Sequence, residues 1–70
     1  MMPLNLADVG TENIIQHVSG GGELRQHLAD LGFVVGSPVT LVSTIGGNVI
    51  AKVKESRVAI DETMARKIMI

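Results

Sequence analysis

Two histidines, seven carboxylates and six cations are the ionisable side chains from which this 70-residue chain could build a reaction site. It has no cysteine and no tyrosine. A thiolate nucleophile, a thiolate metal site and a disulfide staple are therefore excluded, and the cysteine-free composition agrees with a reducing compartment. His17 and His27 stand ten residues apart, with no HxH, HxxxH or HExxH spacing that would converge two imidazoles on zinc. Asp8, Glu12 and Asp30 could lend oxygen to a hard cation, yet no run of acids has the spacing of a calcium loop. Met1, Met2, Met64 and Met69 read as start, gap filler and surface rather than a soft-metal cluster. Catalysis needs a nucleophile with its base, a tuned pair of carboxylates or a metal, and the sequence supplies none of these sets. It reads as a non-enzyme with no cofactor and no metal ligands.

Two further groups invite a chemical reading. Gly20-Gly21-Gly22 precedes a helix, where free backbone N–H groups and the helix dipole can cradle a phosphate. The lysine and Ser/Thr of a phosphate loop do not follow, so the three glycines read as a flexible strand-to-helix connection. Lys52, Lys54, Arg57, Arg66 and Lys67 give the second half five cations against three acids, while the first half has one cation against four acids. This patch is bare of aromatics and broken by Glu55, Asp61 and Glu62, a poor footprint for nucleic acid. Net charge is −1.

Those residues are placed by one helix and a set of short strands. Leu24, Leu28 and Leu31 recur at i, i+4 and i+7, which predicts a short helix with one buried stripe and Glu23, Arg25, Gln26 and Asp30 on the wet side. Gly22 or Ser19 is expected near its N-cap, and Gly32 supplies the left-handed residue that stops it. With Gly32 at C′, Phe33 falls at C″ and Leu28 at C3, the hydrophobic pair of a Schellman stop.

Before the helix, Leu4, Leu6 and Val9 form an apolar lead-in expected to lie as a lid over one end of the domain. Ile14, Gln16 and Val18 alternate with Ile15 and His17 in a first strand beginning at Asn13. After the helix, Val35-Gly36 fits the centre of a type II turn. A strand through Val39 and Leu41 then reaches a tight hairpin at Gly46-Gly47. Val49, Ala51 and Val53 line one face of the return strand, with Ile50, Lys52 and Lys54 on the other. A second reversal is expected at Glu55-Ser56, before Val58 and Ile60. Asp61 can cap a helical turn over Glu62 to Arg66, and Ile68 and Ile70 make a last strand whose free partner is the first.

The expected fold is mainly β: one domain over residues 1–70, a five-stranded SH3-like barrel with a short α-helix between strands 1 and 2 and a helical turn before the last strand. The expected core is aliphatic apart from Phe33: Ile14, Val18, Leu24, Leu28, Leu31, Val39, Leu41, Val49, Ala51, Val58, Ile60 and Ile68. Truncating Leu28 or Leu31 to alanine is expected to cost about 2 to 5 kcal/mol. The N-terminal residues have neither a basic region nor a long apolar run, and no stretch approaches a membrane span, so a soluble, unexported chain without membrane insertion is expected. The surfaces free to bind a partner are the loop Gly20, Gly21 and Gly22, the hairpin tip Gly46-Gly47, and the strand face of Ile50, Lys52 and Lys54. An unpaired strand edge also leaves a homodimer open.

Leu6-Ala7-Asp8-Val9-Gly10, the run Gly21 to Gly36 containing Leu28-x-Asp30-Leu31-Gly32-Phe33-x-x-Gly36, and Val58-Ala59-Ile60 followed by Ala65 and Ile68 together resemble the FeoA family of ferrous iron transport accessory proteins. The resemblance covers nearly the whole chain. It implies a cytoplasmic SH3-like protein without catalysis that binds and regulates FeoB, a GTP-dependent ferrous iron transporter. The same domain type occurs at the C-terminus of DtxR-like repressors, which implies the alternative of a metal-responsive regulatory domain. Two residues depart from the family pattern: Val35 stands where proline is usual, and Asp61 where arginine is frequent.

Overall fold

The computed structural model describes residues 1–70. Six short strands and two helices follow a 3-10 turn at Leu4–Leu6, in the order β1 (Glu12–Ile14), β2 (His17–Val18), α1 (Gly22–Asp30), β3 (Pro38–Ile45), β4 (Asn48–Val53), β5 (Ser56–Ile60), α2 (Glu62–Ala65) and β6 (Ile68–Met69). Antiparallel pairing gives a four-stranded sheet, β1-β3-β4-β5, and a two-stranded sheet, β2-β6. The protein is mainly β with two short helices, of the SH3-like class the sequence indicates, although its two sheets are not hydrogen-bonded into a closed barrel. It has six strands rather than five, because the expected first strand is divided between the two sheets.

The division occurs at Ile15-Gln16. The Ile15 N–H donates to the Ser37 carbonyl at 3.0 Å and its carbonyl accepts from the Gly36 N–H at 2.8 Å, whereas the next amide, Gln16, donates to Met69 at 2.7 Å. The chain thus changes partners within one peptide. Ile15 and Val18 are both buried although they are three residues apart, which a regular strand would place on opposite faces. Ile14, expected in the core, is consequently 45% exposed and Ile15 is 1% exposed.

Helix α1 stops as its sequence requires. Gly32 has φ +106°, its N–H donates to Ala29 at 2.9 Å, and the Phe33 N–H donates to Leu28 at 2.8 Å, the two bonds of a Schellman motif. At the other end the N-cap is Gly21 in an extended conformation, not Gly22 or Ser19, and no side chain caps it. Ser19 is engaged elsewhere, its N–H donating to the Lys67 carbonyl at 2.7 Å. Of the leucine stripe only Leu28 is fully buried, while Leu24 and Leu31 lie half-buried against the core edge. Leu31→Ala therefore belongs below the cost expected from the stripe alone.

The core unites both sheets, α1 and the lead-in, with Leu4, Ile15, Leu28, Phe33, Val49 and Ile68 among its fully enclosed side chains. Leu4 and Val53, expected as lid and as part of the apolar face of the return strand, are fully buried in it, Ala7, Ile15 and Ala65 join it unexpectedly, and Val58 is only partly covered. Leu6 and Val9 face outward, so the lid consists of Leu4 and Ala7. The lead-in also clasps the C-terminus: Met2 and Ile70 exchange backbone hydrogen bonds at 3.0 and 2.8 Å. Val35-Gly36 forms the expected turn, with Gly36 at φ +91° and the Ser37 N–H donating to Val34 at 3.1 Å.

Asp61 caps α2, its carboxylate accepting from the Met64 N–H at 2.8 Å. Asp61→Ala is expected to lower stability by about 1 kcal/mol and Asp61→Asn by less, measured as the shift in urea midpoint. An unchanged midpoint in Asp61→Ala would show that the cap contributes nothing.

Candidate functional site

The outer face of the four-stranded sheet carries the polar groups. Register places Glu12 of β1, Thr40 of β3, Lys52 of β4 and Arg57 of β5 in one row across the strands. Directly paired residues share a face, so all four point away from the core. The next row outward contains Ser43, Ile50 and Ala59. Pro38, Thr40, Glu12, Lys52 and Lys54 line a shallow depression of about 60 Å³ on this face. Sequence spacing identified Ile50, Lys52 and Lys54. Arg57 stands in the sequence only as one of five cations in the second half, and the cross-strand register is what sets it beside Lys52.

That reversal is Lys54-Glu55, since Val53 pairs with Ser56. Lys54 takes φ +55°, the one non-glycine residue with positive φ. The register sets Lys52 opposite Arg57, two cations with no carboxylate between them. The chain's one ion pair is Arg66–Glu62 at 2.8 Å, on α2. Glu12 lies at the far end of the row, beyond Thr40, and Glu55 is in the turn. Lys52, Lys54 and Arg57 are all exposed and unpaired.

A second feature lies beside α1. An open groove of about 360 Å³ runs between the helix and the segment that follows it, lined by Val18, Arg25, Ala29, Phe33, Val34 and Val35. Gly22 also borders it. Val34 and Val35 are exposed at its rim, and Arg25 is its one charged side chain.

The partner-facing residues read from the sequence thus fall in three places. Ile50, Lys52 and Lys54 share the sheet's outer face. Gly22 borders the helical groove, with Gly21 at the N-cap and Gly20, at φ +107°, packed against Leu24. Gly46 and Gly47 lie at the opposite end of β4 from Lys54, about 20 Å away for a six-residue strand. Both have positive φ, and a Cβ at Gly47 would lie 3.1 Å from the Glu62 carboxylate, so the hairpin tip rests on α2. His17 and His27 are exposed, and no three His, Asp or Glu side chains converge. No helix is long and apolar enough to cross a membrane.

Fold and surface together define a small SH3-like β domain whose distinctive features are an exposed sheet face and a helix-side groove. A family model described as the FeoA domain matches residues 2–70. The chain belongs to the FeoA family of ferrous iron transport accessory proteins. It is similar to the crystal structure of an iron uptake regulatory protein, FeoA, with TM-score 0.87 and 27% identity over 96% of this chain and 89% of that one. The FeoA of Stenotrophomonas maltophilia, solved with zinc and described as an SH3 domain protein, has TM-score 0.82 and 24% identity over 99% of this chain and 88% of that one. A manganese-dependent transcriptional repressor shares the fold at TM-score 0.85 and 14% identity, with 94% of this chain covering 38% of the repressor. No curated protein matches the sequence.

Proposed function

We propose that this protein is a cytoplasmic adaptor that binds FeoB and regulates ferrous iron transport through protein contacts, without chemistry of its own. The observation that carries this reading is the family match along the whole chain. The sheet face around Ile50, Lys52, Lys54 and Arg57 supports it, since cations left unpaired on a stable sheet are available to a partner. Electrostatic complementarity of that kind sets association rate and orientation more than raw affinity, which suits a regulator that must engage and release.

The test is an amide chemical-shift titration of the protein with the isolated cytoplasmic domain of its own FeoB, in GDP and in a GTP analogue. Localised shifts that depend on the nucleotide are expected, together with reduced ferrous uptake under anaerobic iron limitation when the gene is deleted. A flat titration in both nucleotide states together with unchanged uptake would refute the reading.

A further inference from the structure

The β5 strand has one hydrogen-bonded partner, β4, and no strand pairs with its other side. None of the backbone hydrogen bonds outside helices and strands involves residues 56–60. In a two-residue hairpin the pair flanking the turn, here Val53 and Ser56, exchanges hydrogen bonds, and alternation then turns Ser56, Val58 and Ile60 toward β4. Arg57 and Ala59 consequently present their N–H and C=O groups to the open edge, and both residues are exposed. The other edge of this sheet, β1, is only three residues long, and the edge of β6 away from β2 is occupied by Met2 and Pro3. A five-residue edge with both hydrogen-bonding groups free at two positions is what strand addition uses.

We propose that β5 accepts an extended acidic segment of a partner protein as an added strand, with carboxylates on its outer face and apolar side chains between them. This rests on the reading that the protein acts by binding another protein. The charge pattern selects the occupant. Outward side chains of an added strand would lie beside Arg57, one strand from Lys52 and next to Lys54, where no ion pair is made. A lone edge charge is enough to discourage pairing between copies, but Lys52 and Arg57 oppose each other directly, and an arriving carboxylate relieves that repulsion. On the inner side the segment would meet Val58, partly uncovered at the core margin. Acids alternating with apolar residues match both faces.

The probe is a ten-residue peptide alternating glutamate and valine, capped at both ends, titrated into the labelled protein. Expected are shifts of the Arg57 and Ala59 amides, with new protection of both from hydrogen exchange, and no response to the lysine-valine analogue. Arg57→Pro removes one outward N–H at an edge position that tolerates proline, and is expected to weaken the peptide at least about tenfold. Should that variant fold poorly, the double variant Lys52→Glu and Arg57→Glu keeps the test: it is expected to reverse the preference toward the lysine-valine peptide. Shifts at Lys52 and Lys54 without protection of Arg57 and Ala59 would overturn the proposal. So would an equal response to phosphatidylglycerol vesicles or to an oligonucleotide at the same salt. A peptide that protects β5 while the cytoplasmic domain of FeoB leaves those amides unmoved would keep the edge site and remove that transporter domain as its occupant.

Discussion

Phe33→Ala is expected to leave the chain largely unfolded at 37 °C. Phe33 is the only aromatic residue, is 1% exposed, and holds three roles at once. Its N–H closes the Schellman motif on Leu28, its ring seals the core beneath α1, and its edge forms part of the groove wall. The backbone bond survives truncation, but the ring does not. Removing a buried phenylalanine side chain costs about 3 to 5 kcal/mol. A single core in a domain of this size supplies only about 3 to 5 kcal/mol of net stability, and no disulfide is present to add to it. Urea denaturation followed by far-UV circular dichroism measures the effect, because the chain has neither tryptophan nor tyrosine to report by fluorescence. Phe33→Leu, which keeps most of the volume, is expected to fold with a loss of about 1 to 2 kcal/mol. A native-like midpoint in Phe33→Ala would mean that the helix exit is held by the Gly32 backbone alone.

The second large effect concerns neighbours of the same type. Ile15→Ala is expected to cost about 2 to 4 kcal/mol, whereas Ile14→Ala costs about 0.5 kcal/mol or less. Both are isoleucines in the same short segment, so intrinsic strand propensity does not separate them. Burial does: Ile15 points into the core where the chain passes from the four-stranded to the two-stranded sheet, and Ile14 lies on the outer face beside Pro38. A larger loss in Ile14→Ala than in Ile15→Ala would show an unbroken strand through residues 13–18. The ratio of the two losses is therefore a solution test of the sheet switch itself.

Much of this protein follows from local chemistry that the sequence displays. The helix is legible because three leucines recur at its period and a glycine stands where a left-handed residue must end it. Leu28, Gly32 and Phe33 make the predicted hydrogen bonds because a Schellman stop depends only on residues within one turn. The Gly36 turn, the Gly46-Gly47 hairpin and the Asp61 cap are legible for the same reason: each involves residues at most three apart. The alternation Val49, Ala51, Val53 also survives folding, since one face of β4 is wholly covered.

What depended on distant partners was decided only by the tertiary structure. A period of two read back from Val18 places Ile14 inside, and the structure places Ile15 there instead. The competing carbonyl acceptors at Ser37 and Met69 kink the chain between them, and a kink shifts the phase of every residue before it. Reversal at Lys54-Glu55 or at Glu55-Ser56 keeps the same apolar face inward, so hydrophobic pattern alone cannot choose. The choice is made where Val49 meets Ile60 across the sheet, although it forces Lys54 to positive φ. That one-residue difference is also what sets Lys52 against Arg57 and turns the free backbone of Arg57 and Ala59 outward. Sequence alone determined the family, the helix and the turns at Gly36 and Gly46-Gly47. Long-range strand register decided which residues are core and which cations share a surface, because register is a property of the pair of strands and not of either one.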